Sequence, residues 1–206
     1  RLHWREFPVR DHGAYDIAYF RCVPNLVVSA PMNEEELRNL MYTGSIYGGP
    51  FSIRYPRGNG VMPEWKTPLR AIPVGQGRIV REGEDVAILT IGAIGNYAVQ
   101  ACQILEKEGF NPAHYDMRFV KPLDQQLLTE LATTHSHFVT IEDNALMGGA
   151  GSAVNEFCIA EQLGVKLLNI GLPDIFIKHG TQEQIYAELG LDCTGIQTKV
   201  AAFLTR

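Results

Sequence analysis

The chemistry-bearing residues of this chain fall into three small groups. The first is RYPRGN at residues 54–59, where Arg54 and Arg57 follow a short apolar run and flank a Pro/Gly turn. Guanidinium groups at the carboxyl end of a strand suit a phosphate or carboxylate ligand. They suit equally a structural ion pair that holds the segment after the turn. The second is MGGAGSAVNEF at 147–157, preceded by Glu142 and Asp143. Small residues at a strand-to-helix turn can cradle an anion with backbone N–H groups, or can let the helix pack closely on a sheet. The segment is neither GxGxxG nor a P-loop, because it lacks the lysine. The paired acids could bind metal or exchange protons, or could end a solvated, capped loop. The third group is the six histidines, His3, His12, His114, His135, His137 and His179. None has HExxH spacing, and only His135 and His137 share a face, a faint metal signal. No GxSxG is present, so no hydrolase elbow is legible.

The elements that must position these residues alternate. An apolar helix over 13–23 precedes a buried strand over 25–31. A helix over 33–47 follows, with Asn33 as cap, Glu36 at capping-box spacing, and Leu37, Leu40 and Met41 as its apolar stripe. A strand over 50–59 runs into the arginine turn. Residues 60–78 hold three prolines and three glycines without a period and read as a linker. Beyond them the pattern predicts strands over 85–93, 113–122, 137–143 and 166–174. Helices are expected over 96–109, 123–135 (capped by Asp124), 148–163, from Thr181 with Gln184 in a capping box, and over 194–205. Strands alternating with helices of this length imply a mostly parallel α/β sheet. The first 60 or so residues hold too few elements to cover both faces of such a sheet. This part is expected to be an incomplete unit that depends on a partner or on chain before residue 13.

Composition narrows the class. Of 206 residues, 46% are hydrophobic and 20% charged, and the net charge is −5 with a pI near 5.7. A general nucleic-acid binder needs a basic face, so that class is disfavoured. No run of about 18 apolar residues signals a membrane span, and RLHWREFPVR lacks the apolar core of a signal peptide. Cys22, Cys102, Cys158 and Cys193 have neither CxxC nor zinc spacing and read as buried thiols of a reducing compartment.

Several of these stretches occur together in one family. HGAYDIAYFRCVPNLVVSAP, NEEELRNLMYTG, RYPRGN, DMRFVKPLD, EDNALMGGAGSAVNE and NIGLPDIFIKHGTQEQIYAELGLD resemble the carboxy-terminal part of the 1-deoxy-D-xylulose-5-phosphate synthases. The resemblance runs from about residue 12 to the end, and it suggests a bacterial, cytoplasmic protein.

The resemblance implies a transketolase-like enzyme of three α/β domains in a homodimer. It uses thiamine diphosphate and Mg²⁺ to join a two-carbon unit from pyruvate to glyceraldehyde 3-phosphate, on the route to isoprenoids, thiamine and pyridoxal. Residues 1–59 then correspond to part of the pyrimidine-binding domain. Residues 60–71 are a linker, and 72–206 are the transketolase carboxy-terminal domain. Arg57 falls on the family's substrate-phosphate anchor, and Arg54 on a structural position. The family's DGPTHxGAxD reads FPVRDHGAYD here. Its aspartate position is Phe7 and its histidine position is Asp11, with His12 as the neighbour, so no catalytic residue carries over. The glutamate that protonates the aminopyrimidine lies upstream of the matched part. The expectation is a chain that is catalytically incomplete alone and binds no cofactor by itself. Two other readings are an assembly module without a ligand site, and a piece like the beta subunit of 2-oxoacid dehydrogenases.

Overall fold

A computed structural model describes residues 13–56, 60–177 and 179–205. The larger of two sheets has the order β3-β5-β4-β7-β8. Its parallel strands are β4 (Val86–Ile91), β5 (Pro112–Asp116), β7 (His137–Ala145) and β8 (Lys166–Leu172), and β3 (Arg78–Arg81) runs antiparallel along one edge. Every residue of VAILTI in β4 is buried, as expected for a strand covered on both faces. One face packs Val86 and Ile88 against α3 (Gly95–Lys107) and α7 (Cys193–Leu204), through Ala98, Cys102, Leu105, Ile196 and Val200. The other packs Ala87, Leu89 and Phe138 against α4 (Gln125–Ala132) and α5 (Ala150–Ala160). Asp124 caps α4, and α6 (Gln182–Leu189) opens on the Thr181/Gln184 capping box, both as expected.

The smaller sheet has the order β2-β1-β6. Strands β1 (Val27–Ser29) and β2 (Phe51–Ile53) are parallel, and β6 (Phe119–Lys121) lies antiparallel on β1. Helices α1 (Asp16–Phe20) and α2 (Glu34–Ile46) complete this part. The expected strand over 113–122 is therefore two strands in two sheets. The break is at Arg118, whose φ of 58° turns the chain out of extended geometry. Phe119 then fills a core with Val27, Leu40 and Ile72. The incomplete first unit thus takes a strand from the later part of the same chain.

Two further expectations are corrected. Met41 is 60% exposed, and the buried face of α2 is Glu36, Asn39, Leu40 and Thr43. Polar groups are buried there because residues 60–77, read as a plain linker, run along α2 without a ladder partner. Arg70 N–H donates to Asn39 Oδ1 at 3.0 Å, and Ile72 N–H to Thr43 Oγ1 at 2.8 Å. Irregular backbone that is buried needs such acceptors. Asn33 caps α2 by accepting from Glu36 N–H. The Glu36 carboxylate accepts instead from Met32 N–H and binds Arg78 and Arg118. Strand β3, absent from the pattern reading, follows the same segment.

The two sheets meet at their carboxyl ends. In the large sheet β4 leads through α3 to β5 on one side, and β7 leads through α5 to β8 on the other. The crevice between β4 and β7 is therefore the switch point where open α/β sheets receive ligands. Here the small part fills it. A methyl group on Gly92, after β4, would lie 3.2 Å from the Ala30 Cβ. Ala145 N–H, at the end of β7, donates to Ala14 O at 2.7 Å.

Candidate functional site

Arg54 follows β2 directly, and its N–H donates to Ser29 O at 2.8 Å, extending the ladder to β1 by one rung. Its guanidinium then reaches across to the large sheet. Nε donates to Asp16 Oδ1 at 3.1 Å, and Nη1 donates to Asp143 Oδ1. Nη2 donates to Asp143 O at 2.9 Å and Gly13 O at 3.1 Å. The far oxygen of Asp143 accepts from Tyr186 OH at 2.9 Å, and that hydroxyl accepts from Gln182 Nε2 at 2.9 Å. The capping box at the start of α6 sets Gln182 and Tyr186 one turn apart, on one face.

Electrostatics keep the Arg54 guanidinium charged and the Tyr186 phenol neutral. Burial pulls the Arg54 guanidinium down, but the Asp143 and Asp16 carboxylates outweigh it and hold the group above its ordinary value. Burial, then the Asp143 charge, pushes the Tyr186 phenol well up. Arg54 is thus consumed by its own carboxylates, the structural reading of the pair. The ion pair ties α1, β2 and β7 together rather than holding the linker.

Glu142 and Asp143 lie on opposite sides of β7 and do not form one site, as successive strand residues must. The carboxylate of Glu142 accepts from Ala150 N–H and Gly151 N–H at 2.8 Å each. Burial pushes this carboxyl up to about 7, against those two N–H groups. The glycine-rich turn therefore does hold a carboxyl group at a helix N-terminus, and that group is the protein's own side chain. It also packs closely: a methyl on Gly151 would lie 2.2 Å from Asn169 Nδ2. Neither acid ends a solvated loop.

The histidine pair does not converge. His135 contacts Gly83 O and Thr134, whereas His137 contacts Ser136. Among the described residues no three His, Cys, Asp or Glu side chains are grouped as metal ligands. Cys102 and Cys158 are buried as expected, but Cys22 is exposed and Cys193 half-buried.

A cleft of about 520 Å³ opens beside the Arg54 network, lined by Arg54, Asp143, Tyr186, Leu172, Tyr55 and Pro56. On the other side of Tyr55 and Pro56 lies a more apolar hollow of about 270 Å³ at Met32, Leu37, Val61 and Asn96. The Tyr55–Pro56 segment is the wall between them. Arg57, the next residue, lies outside the described residues, as do Phe7, Asp11 and His12. Sequence reading missed Asp16, Tyr186 and Gln182. Only the capping box hinted at the last two, and nothing local links Arg54 to Asp143, 89 positions away.

The fold and this junction define a class. The chain belongs to the transketolase carboxy-terminal domain family, whose model matches residues 75–196. Its resemblance to named relatives extends further. It is 53% identical over 191 residues to a 1-deoxy-D-xylulose-5-phosphate synthase of Cytophaga hutchinsonii, covering 92% of this chain and 30% of that protein. A synthase of the same name from Bacteroides thetaiotaomicron is 51% identical over 183 residues, covering 88% of this chain and 28% of that one. The chain thus spans about 30% of the length of the curated relatives it matches, and it resembles their carboxy-terminal part. Among solved structures, a split gene transketolase, described as an inactive beta4 tetramer, superposes with a TM-score of 0.84 at 30% identity. That match covers 93% of this chain and 62% of the other. A transketolase mutant from Pichia stipitis, 16% identical, shares the fold over 93% of this chain and 27% of its own, with a TM-score of 0.66.

Proposed function

We propose that this chain is the carboxy-terminal part of a thiamine-diphosphate-dependent synthase that converts pyruvate and glyceraldehyde 3-phosphate to 1-deoxy-D-xylulose 5-phosphate and CO2. The observation that carries the reading is the 53% identity over 191 residues to a protein of that name. Residues 1–59 are part of the pyrimidine-binding domain, 60–71 the connection, and 72–206 the carboxy-terminal domain. Arg57 is the phosphate anchor, because an arginine gives phosphate a charge-assisted, bidentate contact. The Arg54 ion-pair network fixes the strand end from which Arg57 follows. Bound in the complete enzyme, thiamine diphosphate supplies the carbanion chemistry. The described residues do not fit its Mg²⁺–diphosphate end, since no cluster of metal-ligating side chains is found among them. The chain's own contribution is to shape the cleft beside Tyr55–Pro56 and to dock the two α/β units. Homodimer formation and a bacterial cytoplasm complete the reading.

Alone, the chain is catalytically incomplete. Supplied with pyruvate, glyceraldehyde 3-phosphate, thiamine diphosphate and Mg²⁺, it should give no product, and measurable turnover would refute this. Calorimetry should detect glyceraldehyde 3-phosphate binding that Arg57→Ala abolishes. The second reading, an assembly module without a ligand site, is favoured by the likeness to the inactive beta4 tetramer. It prevails if the chain self-associates and binds no substrate.

A further inference from the structure

A second polar cluster joins the two sheets, away from the Arg54 network. Glu36 comes from α2 of the small part, Asp116 from the end of β5, Arg78 from β3, and Arg118 from the turn between β5 and β6. Both carboxyls rest on one donor: Arg78 Nε lies 2.9 Å from Glu36 Oε1 and 3.3 Å from Asp116 Oδ2. Their side chains are 5% and 0% exposed, and the shared Arg78 Nε brings the two carboxyls to one point. Arg118 adds Nη2 to Glu36 Oε1 at 2.7 Å, and its backbone N–H donates to Asp116 Oδ1 at 3.1 Å. Two dry carboxyls sharing one donor cannot both ionise without repulsion, and a proton between them relieves it.

We propose that Glu36 and Asp116 hold one proton between them, and that this shared proton clasps α2 and the small sheet to the large sheet. Loss of the proton to solvent leaves two carboxylates pressed together and loosens the clasp. Arg78, 34% exposed along its side chain, is the edge at which solvent reaches the pair.

The groups facing the pair support this assignment. Burial, then Glu36, holds the Asp116 carboxyl well above its ordinary range. Burial raises Glu36 too, but its contacts with Asp116, Arg118 and Arg78 outweigh that and hold it low. One carboxyl held high and its neighbour held low is the pattern of a pair that keeps one proton in common. His114, two residues earlier on β5, is lowered to about 4 by burial and by Arg78, so it is neutral over the range that matters. From the α4 side, Asp124 is engaged by Gly77 N–H at 2.8 Å. Met32 N–H completes the shell at Glu36 Oε2.

The sign follows from linkage. Opening the clasp exposes Asp116 and returns it to its ordinary value, so opening releases a proton. The opening constant should rise about tenfold per pH unit above that value, and level off once the clasped pair itself ionises. Two measurements on the unmodified chain test this. Carboxyl ¹³C NMR should show one protonated carboxyl within the Glu36–Asp116 pair at pH 7, assigned through Glu36→Gln and Asp116→Asn and told apart from Glu142 through Glu142→Gln. Hydrogen exchange, corrected for its intrinsic pH dependence, should show α2 protection falling along that line. Asp116→Asn, a permanently neutral partner, should keep α2 protection flat with pH. Two ionised carboxylates at pH 7, or α2 protection that ignores their titration, overturn the proposal. These readouts need no substrate, so they stand or fall apart from the synthase reading.

Discussion

The two sheets are built on unequal terms. The large sheet carries helices on both faces from its own stretch of chain, and its central strand β4 is entirely buried. The small sheet has two short parallel strands and borrows β6 for the third. Its core of Val27, Leu40, Ile72 and Phe119 draws two members from beyond the arginine turn. The difference teaches that the large unit organises itself, and the small one is organised by docking.

The sharpest break of that comparison is Phe119→Ala. The side chain is fully buried, and such truncations cost about 3–5 kcal/mol. The loss should be local: hydrogen exchange should rise in β1 and α2 while β4 and β7 keep their protection. Equal loss in both sheets would show one cooperative unit. Next is Asp143→Ala, which leaves Arg54 only Asp16 and carbonyls and leaves Tyr186 OH without its acceptor. With both side chains about one-eighth exposed, a cost of about 3 kcal/mol is expected in urea unfolding. Asp143→Asn should cost less, since it keeps an acceptor.

Glu142 sharpens the comparison through pH. Its folded value, about 7, lies above the ordinary 4.5. A raised acid stabilises the fold below its ordinary value and loses that contribution as pH rises through the folded value. Stability should therefore fall between pH 4.5 and 7 by about 3 kcal/mol from this group. Glu142→Gln should flatten that slope in thermal unfolding, while lowering the melting temperature at acid pH, because an amide cannot accept from both Ala150 and Gly151. The smallest effect is Thr181→Ala, about 1 kcal/mol for a lost cap. It should fray α6 and loosen Tyr186 without touching the small sheet.

Much of the fold was legible because it rests on local patterns. Asn33, Asp124 and Thr181 mark helix starts by chemistry that acts over three residues. The burial of VAILTI follows from composition alone. What was hidden depends on distant partners. Met41 was placed in a stripe because the helical period is blind to an irregular segment that takes up polar acceptors on the neighbouring face. The strand over 113–122 looked continuous because Arg118 is not a residue type that announces a left-handed turn. At the site, Arg54 was readable as structural, but its partners Asp16, Asp143 and Tyr186 were not, since only folding brings them together. The two acids at 142–143 looked paired because adjacency in sequence hides the alternation of a strand.

The filled crevice between β4 and β7 has a consequence for engineering and descent. In the large domain the crevice serves as a socket for Ala14 and Ala30. A protein keeping this domain and shedding the small part would uncover the crevice at Gly92 and Ala145, where Ala30 and Ala14 now sit.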